Sequence, residues 1–186
     1  MLKRVGIFMI GLLLAATASA TTVGGVTLPD NLTFGEHEMF LNGAGLRKKL
    51  WIKVYAGGLY LTQTMHNANE IIDADEPMAV RMHFIYDGVS AEKLIETWNE
   101  GFETVLGKNM ASLQAELDAF NALFTKEAAE GDRYDIVYLP ESGTHLYING
   151  TEIGSVAGLK FKQALFAIWL GDDPADDNLK EGMLGE

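Results

Sequence analysis

Arg47, Lys48, Lys49 and Lys53 place four positive charges within seven positions of a chain whose formal net charge is −12. A cluster of this kind is either a solvated turn or a patch that recognises an anion, and in so acidic a protein it stands apart. It runs directly into WIKVYAGGLYL, residues 51–61, where β-branched and aromatic residues predict a strand. On a two-residue period Lys53 and Tyr55 share one face of that strand, so a cation and a phenol point the same way. Other chemistries find little support. The chain has no cysteine, which excludes thiolate catalysis and thiolate metal sites. His37, His66, His83 and His145 show no metal-ligand spacing; His83 and His145 fall on strands and could meet in space, but lone strand histidines are more often satisfied locally. Asn42-Gly43-Ala44-Gly45 lacks the Lys-Ser/Thr that would hold nucleotide phosphates, and neither a nucleophile elbow nor a dinucleotide fingerprint is present. The acidic run Asp172, Asp173, Asp176 and Asp177 is broken by Pro174 and reads as a solvated loop without calcium-loop spacing. No metal and no cofactor are expected.

The elements that must position the basic cluster begin after a leader. Lys3 and Arg4 precede the apolar run Val5 to Ala16, which closes on Ala18-Ser19-Ala20, the order of a cleavable signal peptide. That run falls well short of the roughly 20 residues that span a bilayer, and no later stretch approaches that length. The expectation is a signal peptide over residues 1–20, one exported domain over residues 21–186, periplasmic or otherwise secreted, and no stable membrane insertion once the leader is removed. The acidic balance is the wrong sign for nucleic acid.

Within the mature chain, Thr22 to Phe34 reads as a hairpin turning at Pro29-Asp30-Asn31. Met78 to Tyr86 alternates Val80, Met82, Phe84 and Tyr86 against Arg81 and His83, a strand that ends in the Asp87-Gly88 turn. Ser90 caps a helix whose stripe is Leu94, Ile95, Trp98, Phe102, Val105 and Leu106, and a second helix continues after Gly107 with Leu113, Leu117, Phe120 and Phe124. Tyr134 to Leu139, His145 to Ile148 and Thr151 to Val156 form a three-strand meander whose second turn is Asn149-Gly150. Leu159 to Leu170 is a helix stopped by Gly171 and Pro174, and a short helix over Leu179 to Leu184 packs on the body. Strands, helices, strands and helices in this order give an α+β domain with an antiparallel sheet.

With those elements in place, FLNGAGLRKKLWIKVYAGGLYL, residues 40–61, resembles the chalcone isomerase-like family, whose members carry a GAG-x-R turn followed by an I-K-V-Y strand. The stretch from YLPESGTHLYING to ALFAIWLG, residues 138–171, and the closing Asn178-Leu179-Lys180 segment carry the same resemblance. It implies an open-faced β-sandwich in which a long antiparallel sheet is covered by helices, with a ligand cleft between them. It also implies two functional branches: isomerases that cyclise a plant polyphenol, and non-catalytic members that bind fatty acids. The Arg of the family turn matches Arg47, and the Tyr that joins it in holding a carboxylate in the binding branch matches Tyr55. Where the enzyme has a Thr at that position, a Tyr opening the first long helix and a Thr in the last, this chain has Tyr55, Lys93 and Ile168. No catalytic residue is therefore assigned. The resemblance implies a non-enzymatic periplasmic protein that binds a small amphipathic anion such as a fatty acid, gripped by the Arg47 fork and the Tyr55 hydroxyl with Lys53 adding positive potential. Two other readings stand beside it. One is an isomerase or lyase of the same fold that stabilises an enolate or phenolate of a flavonoid-like substrate. The other is a structural or protein-interaction role in which Arg47 pairs with an acidic neighbour such as Glu36 or Glu38 and Tyr55 is a core tyrosine.

Overall fold

The computed structural model describes residues 20–186, so the expected leader lies outside the described residues except for Ala20. Seven strands form one antiparallel sheet: β3 (Asn31–Phe34), β4 (His37–Lys49), β5 (Ile52–Leu61), β6 (Met78–Phe84), β7 (Arg133–Leu139), β8 (Gly143–Ile148) and β9 (Thr151–Val156). Their order in the sheet is their order in the sequence, and each is antiparallel to the next. This is the meander that the alternating patterns imply, extended across the whole domain.

One face of the sheet carries the helices. The inward residues of β5 to β8, among them Leu59, Val80, Phe84, Ile136 and Leu146, are buried against apolar stripes of the helices. Those helices are α2 (Ala91–Leu106), α3 (Gln114–Asn121), α4 (Leu159–Leu170) and α5 (Asp177–Leu184). The Ser90 hydroxyl accepts from the Lys93 amide and opens α2 as its sequence implies. A 3₁₀ segment over Gly107–Leu113 carries the chain from α2 into α3. A six-residue helix, α1 (Ala68–Asp73), has no counterpart among the sequence expectations. Its C-terminal end is held from below by fully buried Lys162 of α4, whose ammonium donates to the carbonyls of Ile71, Ile72 and Ala74 at 2.9, 2.8 and 2.7 Å. Burial pushes that ammonium down to about 8.

The opposite face receives only a short hairpin. A two-strand hairpin of β1 (Thr21–Val23) and β2 (Val26–Leu28) leads onto it, with Leu28 buried and the Tyr60 hydroxyl donating to the Pro29 carbonyl at 3.0 Å. The hairpin turns at Gly24-Gly25, both at positive φ, and not at Pro29-Asp30-Asn31, which joins β2 to β3. On this face Arg81 and Asp135 are cross-strand partners joined by two bonds of 2.6 and 2.8 Å.

Two corrections concern the segment that sets the site. Gly43-Ala44-Gly45 is not a turn: it lies inside β4, paired with Gly57 to Leu59 of β5. The glycines are there because α5 lies almost on the strand. A Cβ on Gly43 would stand 2.2 Å from the Gly182 carbonyl oxygen, and one on Gly182 would stand 2.5 Å from that of Ala44. The second correction is to the alternation in β5. The register shifts between Arg47 and Lys48, so that Arg47 faces Tyr55 while Lys48 faces Lys53, and Val54 is left as a bulge. Its carbonyl accepts from both Ile85 and Tyr86.

Candidate functional site

Between the sheet and the helices α2 and α4 lies a cleft of about 680 Å³. Its walls are apolar: Met82 and Phe84 of β6, Leu94 and Trp98 of α2, Ile168 and Trp169 of α4. Of these, Met82, Phe84, Leu94 and Trp98 fall on the faces that the sequence pattern marks as apolar.

Arg47 and Tyr55 both line this cleft and sit directly opposite each other across the β4–β5 ladder. The Tyr55 ring is buried, and its oxygen accepts from the Trp169 indole at 2.9 Å. With the lone pair taken, its own proton is left to donate, and among the described residues no acceptor takes it. Burial pushes this phenol up to about 12, against the smaller opposing pulls of the Trp169 bond and the Arg47 charge. It is therefore a neutral donor at any ordinary pH. Trp98, another lining residue, keeps a buried indole N–H without a partner among the described residues.

Arg47 is not free. Its Nη1 donates to the Lys48 carbonyl and lies 3.5 Å from Oδ2 of Asp176. Asp176 is not the solvated loop residue that its acidic run implies, since its side chain is only 10 % exposed. Oδ1 caps α5 by accepting from the Leu179 amide at 3.1 Å, and Oδ2 accepts from the Lys48 amide at 3.0 Å. One carboxylate thus ties the start of α5 to the end of β4 and steadies the guanidinium. Glu36 and Glu38 play no such part; Glu38 accepts from Asn31 instead at 2.7 Å. The remaining Arg47 donors, Nε and Nη2, have no protein acceptor among the described residues.

Lys53 is exposed and lies outside the cleft lining. The bulge at Val54 is the reason: one extra residue between Lys53 and Tyr55 turns them to opposite faces. Lys93 and Ile168 do line the cleft, Lys93 at its rim with Glu96 at 2.6 Å and Ile168 in its wall against Gly101. His145 is committed to Ser142 and Glu152 on the outer side of the sheet and does not meet His83, from which β7 separates it.

Asp176 and Trp169 are what sequence reasoning missed. A residue that can cap a helix stood in view at Asp176, but nothing local marks a bond made 128 positions away.

The geometry can hold a ligand with one anionic, hydrogen-bond-accepting end and an apolar body. Chain-wide comparison agrees with the architecture. The family model described as chalcone isomerase-like matches residues 20–185. The crystal structure of a fatty-acid binding protein from Arabidopsis thaliana is similar to this fold with a TM-score of 0.75 at 20 % identity, covering 89 % of this chain and 96 % of that one. Among curated proteins none matches.

Proposed function

This chain belongs to the chalcone isomerase-like family, and from that premise we propose that it is an exported, non-enzymatic binding protein for a fatty-acid-like anion, whose carboxylate is held by Arg47 and Tyr55. The observation that carries the reading is the pairing itself. A guanidinium with unused donors and a neutral phenol with an unused proton stand side by side in a mainly apolar cleft of about 680 Å³. That volume falls in the range of small-molecule sites, about 300–1,000 Å³. Each methylene buried along Met82, Phe84, Leu94 and Ile168 adds about 0.8 kcal/mol. The structural neighbour from Arabidopsis is itself described as a fatty-acid binding protein, which supports the same ligand class here. Against isomerase chemistry, the positions where the enzyme branch has a Thr, a Tyr and a Thr are occupied here by Tyr55, Lys93 and Ile168, all on the cleft.

Calorimetric titration of delipidated protein with fatty acids and with the matching alcohols tests the reading. Acids should bind more tightly than alcohols. Arg47→Ala should cost about 2–5 kcal/mol for the acid, because a buried carboxylate loses its charged partner. Tyr55→Phe, which removes one neutral donor, should cost about 0.5–1.5 kcal/mol. Equal affinity for acid and alcohol rejects the anion site. Export is checked separately by sequencing the N-terminus of protein recovered from cells: Thr21 is expected, and an intact Met1 on cytoplasmic protein rejects it.

A further inference from the structure

The hairpin that joins β4 to β5 ends in Leu50 and Trp51, which are 79 % and 83 % exposed, the two most exposed large apolar side chains among the described residues. Burial of these side chains would normally be favoured, yet the fold holds them out. It does so at a cost in backbone conformation, since Leu50 sits at φ 58, in the left-handed region. The β8–β9 hairpin also needs positive φ at its turn and fills it with Asn149 at φ 52 and Gly150 at φ 83, the residues such a backbone favours. Leu50 is therefore not explained by the turn.

Charge around the tip is equally unspent. Lys48, Lys49 and Lys53 are exposed, and among the described residues none has a carboxylate within ion-pair distance. Lys48 and Lys53 are direct partners across the ladder, an arrangement in which like charges repel. The carboxylates around them are all engaged or set across the cleft: Asp176 accepts from the Lys48 amide and lies beside Arg47, Glu96 on α2 is paired with Lys93, and Glu100 and Asp173 line the cleft. The rest of the molecule is strongly acidic. Lys49 and Leu50 line the cleft mouth, so this tip is also the threshold of the site.

We propose that Leu50 and Trp51, with Lys48, Lys49 and Lys53 around them, form a docking element for an anionic lipid bilayer surface, and that the acyl ligand passes between bilayer and cleft at this point; the second half rests on the fatty-acid reading of the cleft. An indole and a leucine enter the interface, where tryptophan is favoured, while the lysine stems lie along the apolar region with their ammonium groups among the lipid phosphates. The anionic surface relieves the Lys48–Lys53 repulsion. It also repels the acidic remainder, which orients the protein with its cleft mouth toward the lipid. Among the described residues no helix is long and apolar enough to cross a membrane, so the contact is peripheral. Two apolar side chains and three lysines give weak, reversible attachment, as delivery requires.

The tryptophans supply the readout. Trp98 and Trp169 are 6 % and 1 % exposed, so emission changes on adding vesicles report Trp51. The full chain is mixed, without fatty acid, with vesicles of phosphatidylcholine alone or with added phosphatidylglycerol. Expected are a blue shift and quenching by bromine-labelled acyl chains only with the anionic lipid, weakened by salt. Replacing Lys48 and Lys53 by Gln should lower partitioning about fivefold per lysine, and Trp51→Ser should lower it roughly tenfold or more. None of these three lines the cleft, so affinity for fatty acid in solution should not change while its transfer between vesicles slows. Leu50→Asn gives an independent arm, because relief of the left-handed strain should raise Tm by about 2–4 °C while partitioning falls. Absence of a Trp51 response to anionic vesicles overturns the proposal even if fatty acid binds in solution. So does a concentration-dependent dimer that buries Trp51 without lipid. Vesicle docking with no fatty-acid affinity instead rejects the reading of the cleft, and transfer with it, while leaving the lipid contact established.

Discussion

At Arg47 a protein carboxylate already occupies part of the guanidinium that a ligand would use. Asp176 lies 3.5 Å away, steadying the fork but also lowering the positive field that an incoming carboxylate meets. Asp176→Asn keeps an oxygen that can accept from the Leu179 amide, so α5 remains capped. Removal of the negative charge should then tighten fatty-acid binding by up to roughly fivefold, the range of a partly exposed ion pair, with Tm lowered by only a few degrees because the Lys48 amide loses a charged acceptor. Titration and a thermal melt on the same preparation check both signs. At this scale the sequence was readable for placement where a residue's own strand decides it, as for Arg47 and Tyr55, which line one cleft. It misled at Lys53 because a two-residue period assumes an unbroken ladder, and a single bulged Val54 reverses every face beyond it. Asp176 and Trp169 act through partners far along the chain, and no local pattern encodes those.

Helix α5 is held to the sheet by the absence of side chains. Gly43, Gly45 and Gly182 let backbone meet backbone, and Leu179, Met183 and Leu184 are then fully or nearly buried. Gly182→Ala places a methyl group 2.5 Å from the Ala44 oxygen and 2.9 Å from the Gly45 Cα, with no flexible side chain to yield. The helix must lift, at a cost of about 1–3 kcal/mol or more. Thermal denaturation should show the loss, and because the same helix begins at Asp176, fatty-acid affinity should fall with it. An unchanged Tm would mean that α5 sits further out than described. Spacing revealed the existence of the strands and of α2 and α4, whose periods are long and regular. The Gly-x-Gly pattern was read as a turn because glycine signals both turning and close approach, and only the packed helix distinguishes them. Helix α1 escaped notice because it buries a single residue, Ile71, and owes its last turn to Lys162, 88 to 91 positions on.

For the whole molecule, alkaline pH is the revealing stress. Burial raises the phenols of Tyr55 and Tyr134 to about 12, and those of Tyr60 and Tyr138 further. Since the folded values exceed the ordinary phenol value of 10.0, the unfolded chain ionises first, and the contribution is complete below pH 10 and lost as pH climbs through 12. Stability should therefore be insensitive to these groups up to pH 10 and then drop steeply, with phenolate absorbance appearing together with loss of secondary structure. Phenolate absorbance rising well before unfolding would place these tyrosines nearer solvent. The overall architecture was legible because strand order follows sequence order and each strand announces its face; the covering of the second face was not, since it depends on where a glycine pair turns a short hairpin. That same strand order has a kinetic consequence. Strands β3 to β5 and β7 to β9 can each zip as successive hairpins with little loop entropy to overcome, and joining the two sets spans the helical segment between Phe84 and Arg133, whereas the clasp from Asp176 back to Lys48 links residues 128 positions apart. The clasp should form after the rate-limiting step, so Gly182→Ala should speed unfolding and leave the folding rate nearly unchanged. A chain made from its N-terminus thus has its strands before it has Ile168 and Trp169 to wall the cleft or Asp176 to steady Arg47, so the cleft is the last part of the molecule to be completed.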